Sequence, residues 1–445
     1  MLLLGLTLVR GLLYAAVIPP WQSPDETGHF EYVWLLAHLG RLPTREDVSP
    51  SFERELLGSL YEWRYGEFVG RSLPEQMPAR LSGLPRYAFV VESRTAPAGR
   101  FSLSYLWPAG FLLLFREQNL VLQLYLARLS SVLLNVMITW LALQTFLVLV
   151  PSRPTLAVLM AAVVAFLPQH TFINSTVGDG PMAELMACLV LYCWARTFRH
   201  GFRVGEIVGV ILGTLAGIWC KRTAVFLIPV NVGLGVWWLL RWSRRDRVGR
   251  HIAGFCGGLV LLAAGIWFWR YSYMGLGAWS ALSRLWQASP DSLNWADARG
   301  LTLEEGLLVA YDSFWANFGW MALPVGGRWY GAIMLLSLMA LIGWGIRRPE
   351  DEIPSWAVGM MGGALFIACA AFVWVALLTD ATRYYNFQGR YLFPALTPYA
   401  FLLVGGLERF LPIRERRYGM ALFGLFMVYF DACCLAGYIL PYFYS

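Results

Sequence analysis

Apolar runs alternate with short polar breaks along most of this chain, which is the pattern of a polytopic helical membrane protein. The runs fall at about 1–20, 120–150, 155–173, 181–197, 205–219, 222–240, 252–270, 329–346, 355–378, 393–408 and 419–441, predicting eleven spans in one all-α domain over 1–445. Two longer polar stretches interrupt them, 21–119 and 271–328. Prolines at 43, 50, 74, 78, 85 and 97 divide the first into short amphipathic pieces, and Phe101 to Phe115 reads as a segment lying along the interface before the second span. The first run is broken by Arg10 and has no small-residue cleavage site, so it reads as a retained anchor.

Composition agrees with this pattern: 58% of residues are hydrophobic and 14% charged. The net charge of +7 does not indicate nucleic-acid binding, because the arginines are parcelled into short loops between apolar runs. Placing the N-terminus in the cytoplasm puts the loops of Arg153, of Arg196, Arg199 and Arg203, of Arg241 to Arg250, of Arg347 and Arg348, and of Arg409 to Arg417 on the same side. The first long loop, the 171–180 turn, the region around Lys221 and the 271–328 and 379–392 loops then share the outer face. All seven cysteines lie in or at the ends of apolar segments, which argues against a disulfide framework, and no Cys-His cluster has zinc spacing.

Candidate chemistry begins where the first run ends, at Trp21-Gln22-Ser23-Pro24-Asp25-Glu26-Thr27-Gly28-His29-Phe30. One reading is a capping box, with Ser23 at the N-cap, Pro24 at the first helical position and Glu26 reaching back to a free N–H. In the other, Asp25 and His29 are spaced i, i+4 and share one helix face, pointing ionisable groups the same way. Glu26 capping and Asp25 facing a cavity are compatible.

The other outer loops add polar groups. Of 35 basic residues only Lys221 is a lysine, either a stray in an arginine-rich chain or a compact point charge suited to phosphate. With Arg222 it forms a cationic pair where positive-inside topology discourages one. Asn174 to Gly180 supplies amides, hydroxyls and Asp179, and Gly-Asp-Gly is also an ordinary turn sequence. Trp279, Trp286, Trp295, Trp315 and Trp320 fit an interfacial tryptophan belt or stacking on sugar rings. Gln388-Gly389-Arg390-Tyr391 brings an arginine and an amide to the start of the tenth span, as a headgroup anchor or a phosphate clamp.

Three stretches together carry a resemblance: Pro19 to Glu26 with His29-Phe30, Phe314 to Trp320 with Leu323-Pro324, and Gln388 to Tyr391 with Pro394. They resemble a family of bacterial polytopic membrane proteins of unknown function, itself similar to the GT-C glycosyltransferases, which take sugars from polyprenyl-phosphate donors. The resemblance implies a GT-C-like fold with a long first extracytoplasmic loop and an active site facing outward from the bacterial cytoplasmic membrane. It implies Asp25 as general base, Glu26 as a second acid, and Arg390 and Lys221 as donor-phosphate ligands, with a glycan, lipid or protein as acceptor. His29, Asp179, Arg222, Trp320, Gln388 and Tyr391 complete the expected substrate-binding set. The first loop lacks an Asp-X-Asp, so a divalent cation is a possible cofactor and not a required one.

The chemistry is coherent with these residues. A polyprenyl-phosphate sugar carries a good leaving group once a cation neutralises its phosphate, so the enzyme supplies positioning, charge stabilisation and a base for the acceptor hydroxyl. One inverting displacement needs one base. A transporter or flippase for a lipid-linked glycan is the alternative from another class, although no internal repeat supports it. A membrane assembly partner whose acids only cap a helix is the third.

Overall fold

The computed structural model describes residues 1–44, 47, 49–69, 73–84, 102–201, 203–243, 303–346, 352–378 and 387–445. The expected span at 252–270 and Trp279, Trp286 and Trp295 lie outside them. Among the described residues the chain is mostly helical. The one sheet among these residues is a two-stranded antiparallel ladder, β1 (Asn317–Phe318) with β2 (Leu323–Pro324).

Helices occupy the remaining ten predicted positions: α1 (Leu2–Val17), α6 (Leu120–Leu149), α7 (Pro154–Phe166) with α8 (Pro168–Asn174), α9 (Gly180–His200), α10 (Val204–Cys220), α11 (Leu227–Ser243), α13 (Gly327–Gly345), α14 (Ser355–Leu378), α15 (Leu396–Phe410) and α16 (Arg416–Cys433). Six helices are long and apolar enough to cross a bilayer, or seven if the bent α7–α8 pair is one span. Among the described residues, then, the count of qualifying spans falls short of the expected eleven. The reasons are local. α1 and α10 are shorter apolar helices. The predicted 155–173 run is bent by 59° between α7 and α8, because Leu167 precedes Pro168 and adopts the extended backbone that a following proline favours.

The first long loop is a helical layer with its own apolar core. Its elements are α2 (Glu26–Leu39), α3 (Pro50–Glu62), α4 (Tyr65–Val69) and α5 (Leu106–Leu113). α3 begins as its sequence dictates, with Pro50 in the first turn and the Ser49 hydroxyl accepting from the Phe52 N–H. Trp21, Phe30, Val33, Phe52, Leu56 and Tyr65 bury together against Leu120, Leu124 and Ala127 at the start of α6, so the layer is fixed to the bundle by apolar burial. α12 (Leu303–Trp315) precedes the ladder, and α17 (Leu440–Tyr444) ends the chain.

Among the described residues, two buried arginines inside the apolar helices have carboxylate partners. Arg10 of α1 makes a buried ion pair with Asp431 of α16 and also donates to the Ala165 carbonyl. Arg128 of α6 pairs with Glu26, with both side chains 0% exposed. Buried charge is tolerated only when neutralised in this way.

Among the loops that the arginine counts place in the cytoplasm, two meet in one charged cluster. Arg153, Glu408 and Arg416 form it, and Ser152 also donates to Glu352. Residues from the first loop, the 174–180 turn, the region of Lys221 and the turn at Arg390 meet elsewhere, in the cluster described next.

Candidate functional site

The segment leaving α1 is held in an unusual backbone. Trp21 and Asp25 both have positive φ, 71° and 66°, a region that costs non-glycine residues energy and persists only when the surroundings enforce it. The enforcement comes from Glu26. Its carboxylate accepts from the Arg128 guanidinium at 2.6 and 2.8 Å, from the Trp21 N–H at 3.2 Å and from the Val177 N–H at 3.1 Å. Arg128 also donates to the carbonyls of Ala15, Ile18 and Pro19, tying it to the end of α1 and to the turn that follows.

This corrects two expectations. The capping box does not form: α2 begins at Glu26, Asp25 is its N-cap, and no side chain caps it. Glu26, expected as a second catalytic acid, is buried with both oxygens committed to Arg128 and backbone, so it organises the loop and faces no open space.

Asp25 points the other way. Its Oδ2 accepts from Arg390 Nη2 at 2.8 Å, and 48% of its side chain is exposed. Beside this pair, Lys221 Nζ donates to Asp179 Oδ1 at 2.6 Å. The Tyr391 ring serves both cations, with Lys221 Nζ and the Arg390 guanidinium carbon each 5.6 Å from its centroid. His29, one turn beyond Asp25, places Nδ1 2.7 Å from the Tyr105 hydroxyl. Two cations, two carboxylates, an imidazole and two phenols from five separate chain segments thus share one neighbourhood.

Short polar ties fix those segments. The Ser102 hydroxyl donates to the Cys220 carbonyl at 2.7 Å and the Ser104 hydroxyl to the Asp179 carbonyl at 3.0 Å, joining the 3₁₀ turn Leu103–Tyr105 to the start of α9 and the end of α10. The Thr176 hydroxyl donates to Ser23 at 2.8 Å, drawing the 174–180 turn onto the first loop. Arg390 sits in the 3₁₀ turn Gly389–Ala395, where the Gly389 N–H donates to the Ser313 hydroxyl at 2.8 Å. A Cβ at Gly389 would collide with the backbone of Phe314 and Ala310, so this close approach requires glycine.

The electrostatics follow from the packing. Burial raises the Asp25 carboxyl, but Arg390, His29 and Lys221 outweigh it and leave its pKa below the usual carboxylate value. Asp179 is shifted down in the same balance, burial opposed chiefly by Lys221 and His29. Burial pushes the His29 imidazole down, assisted by Lys221 and Arg390 and resisted by Asp179 and Asp25. Around neutral pH the cluster therefore holds two carboxylates, two cations and a neutral imidazole.

Asp25, His29, Asp179, Lys221, Arg390 and Tyr391, expected as site residues, are brought together. Gln388 is buried at the start of the same turn, its carbonyl accepting from the Tyr391 N–H. Arg222 opens the 3₁₀ turn Arg222–Phe226 directly after Lys221. Trp320 is elsewhere, packing edge-on to Tyr65 at 6.3 Å against the first-loop core. Sequence reasoning missed Tyr105, Arg128, Ser102 and Ser104. Arg128 carried a signal, an arginine in the middle of a long apolar run; Tyr105 and the serines carried none beyond their place in the interfacial segment. Among the described residues no three His, Cys, Asp or Glu side chains converge to hold a metal ion.

Comparison of the chain with protein-family models, curated proteins and solved structures finds no match.

Proposed function

We propose that the Asp25 cluster binds a phosphate-carrying lipid and that the protein is an inverting glycosyltransferase of GT-C type. It takes a sugar from a polyprenyl-phosphate donor at the outer face of a bacterial cytoplasmic membrane and passes it to a glycan, lipid or protein acceptor. The observation that carries this reading is the pairing of Asp25 with Arg390 beside Lys221–Asp179. A half-open carboxylate stands next to two cations that can exchange their carboxylate partners for a phosphate.

In the reaction the acceptor hydroxyl oxygen attacks the anomeric carbon, the bond from that carbon to the donor phosphate oxygen breaks, and the hydroxyl proton passes to Asp25. Arg390 and Lys221 bind the departing polyprenyl phosphate and stabilise the charge that develops on it. When phosphate takes Arg390, Asp25 loses its hydrogen-bonded cation and becomes a stronger base. Glu26 keeps the backbone at Asp25 in position through Arg128.

The test is loss of sugar from a polyprenyl-phosphate-linked hexose incubated with protein reconstituted in sealed liposomes together with a panel of glycan, lipid and peptide acceptors. The wild type should release polyprenyl phosphate and Asp25→Asn should not, with both proteins equally stable. Release that is equal in the two would remove Asp25 as base. Transbilayer movement of the intact donor without sugar loss would favour the flippase reading.

A further inference from the structure

We propose that His29 acts as a neutral hydrogen-bond donor to the bound phosphate, with Tyr105 holding Nδ1 as an acceptor so that Nε2–H faces the ligand. The inference rests on the phosphate-lipid reading of the same cluster and gives that ligand a third binding group beside Lys221 and Arg390.

The geometry of one hydrogen bond sets the tautomer. Tyr105 Oη lies 2.7 Å from His29 Nδ1, and among the described residues this is the hydrogen bond the Tyr105 side chain makes. A phenol is a donor that burial keeps protonated, and imidazole nitrogen is the better acceptor of the two atoms. With the phenolic O–H donating to Nδ1, the ring's own proton resides on Nε2. The imidazole then presents a donor without a charge.

The groups facing His29 make that neutrality useful. Asp25 lies one turn before it on its own helix and Tyr32 three residues after it, with the Tyr32 ring 4.8 Å from that of Tyr105. Tyr105 meets it from the 3₁₀ turn, and Asp179, Lys221 and Arg390 act on it from the other segments. Burial and the two cations oppose a third positive charge, and they prevail over the two carboxylates.

A phosphate entering this cluster meets cations that already carry carboxylate partners, Lys221 with Asp179 and Arg390 with Asp25. Each must give up or share a partner to bind it. Among the described residues the His29 side chain hydrogen-bonds Tyr105 and no carboxylate, so its Nε2–H can give the phosphate a first hydrogen bond before either ion pair opens.

The experiment is NMR of the full chain in lipid nanodiscs with ¹⁵N-labelled imidazoles. The chain has 5 histidines, so the His29 signals are assigned by their loss in His29→Gln. At neutral pH the expected result is an unprotonated Nδ1 and a protonated Nε2, with decaprenyl phosphate shifting Nε2 and leaving Nδ1 unprotonated. A protonated Nδ1, or a doubly protonated ring at neutral pH, would overturn the proposal. Decaprenyl phosphate seen bound by native mass spectrometry without shifting Nε2 would also overturn it while leaving the lipid reading intact. No binding at all would remove that reading and the proposal with it.

Variants give a second readout. Glutamine reproduces an N–H near the place of Nε2, so His29→Gln should hold decaprenyl phosphate within about 3-fold of wild type, whereas His29→Phe should lose about 10-fold, the equivalent of ~1.4 kcal/mol. Equal affinity in wild type and a folded His29→Phe would contradict the role. Should the Phe variant not fold, Tyr105→Phe serves in its place: it frees the tautomer and should give a mixed protonation state in the same spectra.

Discussion

Asp25 and Arg390 stand 365 positions apart in the chain and meet through one hydrogen bond of 2.8 Å. The exit of the first helix and the start of a late one therefore close on each other, and the carboxylate and cation that a phosphate-lipid chemistry needs are held at contact distance. Replacing Asp25 by Asn keeps size and removes charge. The expected result is a fall in sugar transfer of roughly 10²–10⁴-fold, the usual contribution of a general base, with an unchanged melting temperature by intrinsic fluorescence. A parallel drop in melting temperature would assign Asp25 a structural role.

The pH dependence separates Asp25 from His29. Asp25 has a lowered pKa, so its ionised form is complete above the ordinary carboxylate value of about 3.9. Lowering pH from about 8 to 5 should therefore not titrate it in the unliganded protein, as ¹³C NMR of its carboxyl would read. His29 also has a lowered pKa, and the unfolded chain takes up its proton first. Stability is then lost as pH falls below about 6.5 toward the folded value. Melting temperature measured across that window should fall less in His29→Gln than in wild type. Identical slopes would mean that His29 is not held neutral by the fold.

Glu26 and Arg128 are predicted to be coupled. Glu26→Ala leaves a buried guanidinium without its counter-charge and should cost about 3–5 kcal/mol, seen as low yield or a lowered melting temperature in detergent. Adding Arg128→Met to that variant removes the orphaned charge and should recover part of the loss. Additive losses in the double variant would show that the two do not act as a pair.

Much of the layout was legible because apolar length and arginine placement are local properties. Ten predicted runs coincide with helices. The members of the cluster could also be picked out one by one: Lys221 through its uniqueness, Asp179 through its glycines, Asp25 through its helical spacing from His29 and Arg390 through its place before an apolar run. Their pairing could not, because Lys221 with Asp179 and Arg390 with Asp25 are tertiary relationships with no periodicity to betray them. Glu26 misled for a physical reason. Ser-Pro-Asp-Glu reads locally as a helix start, but a buried arginine 102 positions away binds a carboxylate more strongly than a free N–H does and draws Glu26 inward. The break at Leu167 was written in Pro168, though apolar continuity across it masked the bend.

Close helix packing yields a prediction independent of the site. A Cβ at Gly406 would meet the Ala340 carbonyl, and one at Gly343 would meet the Gly406 carbonyl, so α13 and α15 touch backbone to backbone through small residues. Gly406→Val should sharply reduce the folded, monodisperse fraction in detergent, whereas Gly331→Ala, where a Cβ meets open space, should leave it unchanged. Equal yields would contradict the packing.

The central claim is that the Asp25–Arg390 and Asp179–Lys221 cluster holds a lipid phosphate, and native mass spectrometry in mild detergent tests it most directly. Wild type, Arg390→Ala and Lys221→Ala are each incubated with decaprenyl phosphate. The account predicts one lipid retained by wild type, with retention reduced at least about tenfold in each variant, the effect of losing a charge-assisted hydrogen bond of ~1.4 kcal/mol or more. Equal retention by all three, or none by wild type, would contradict it.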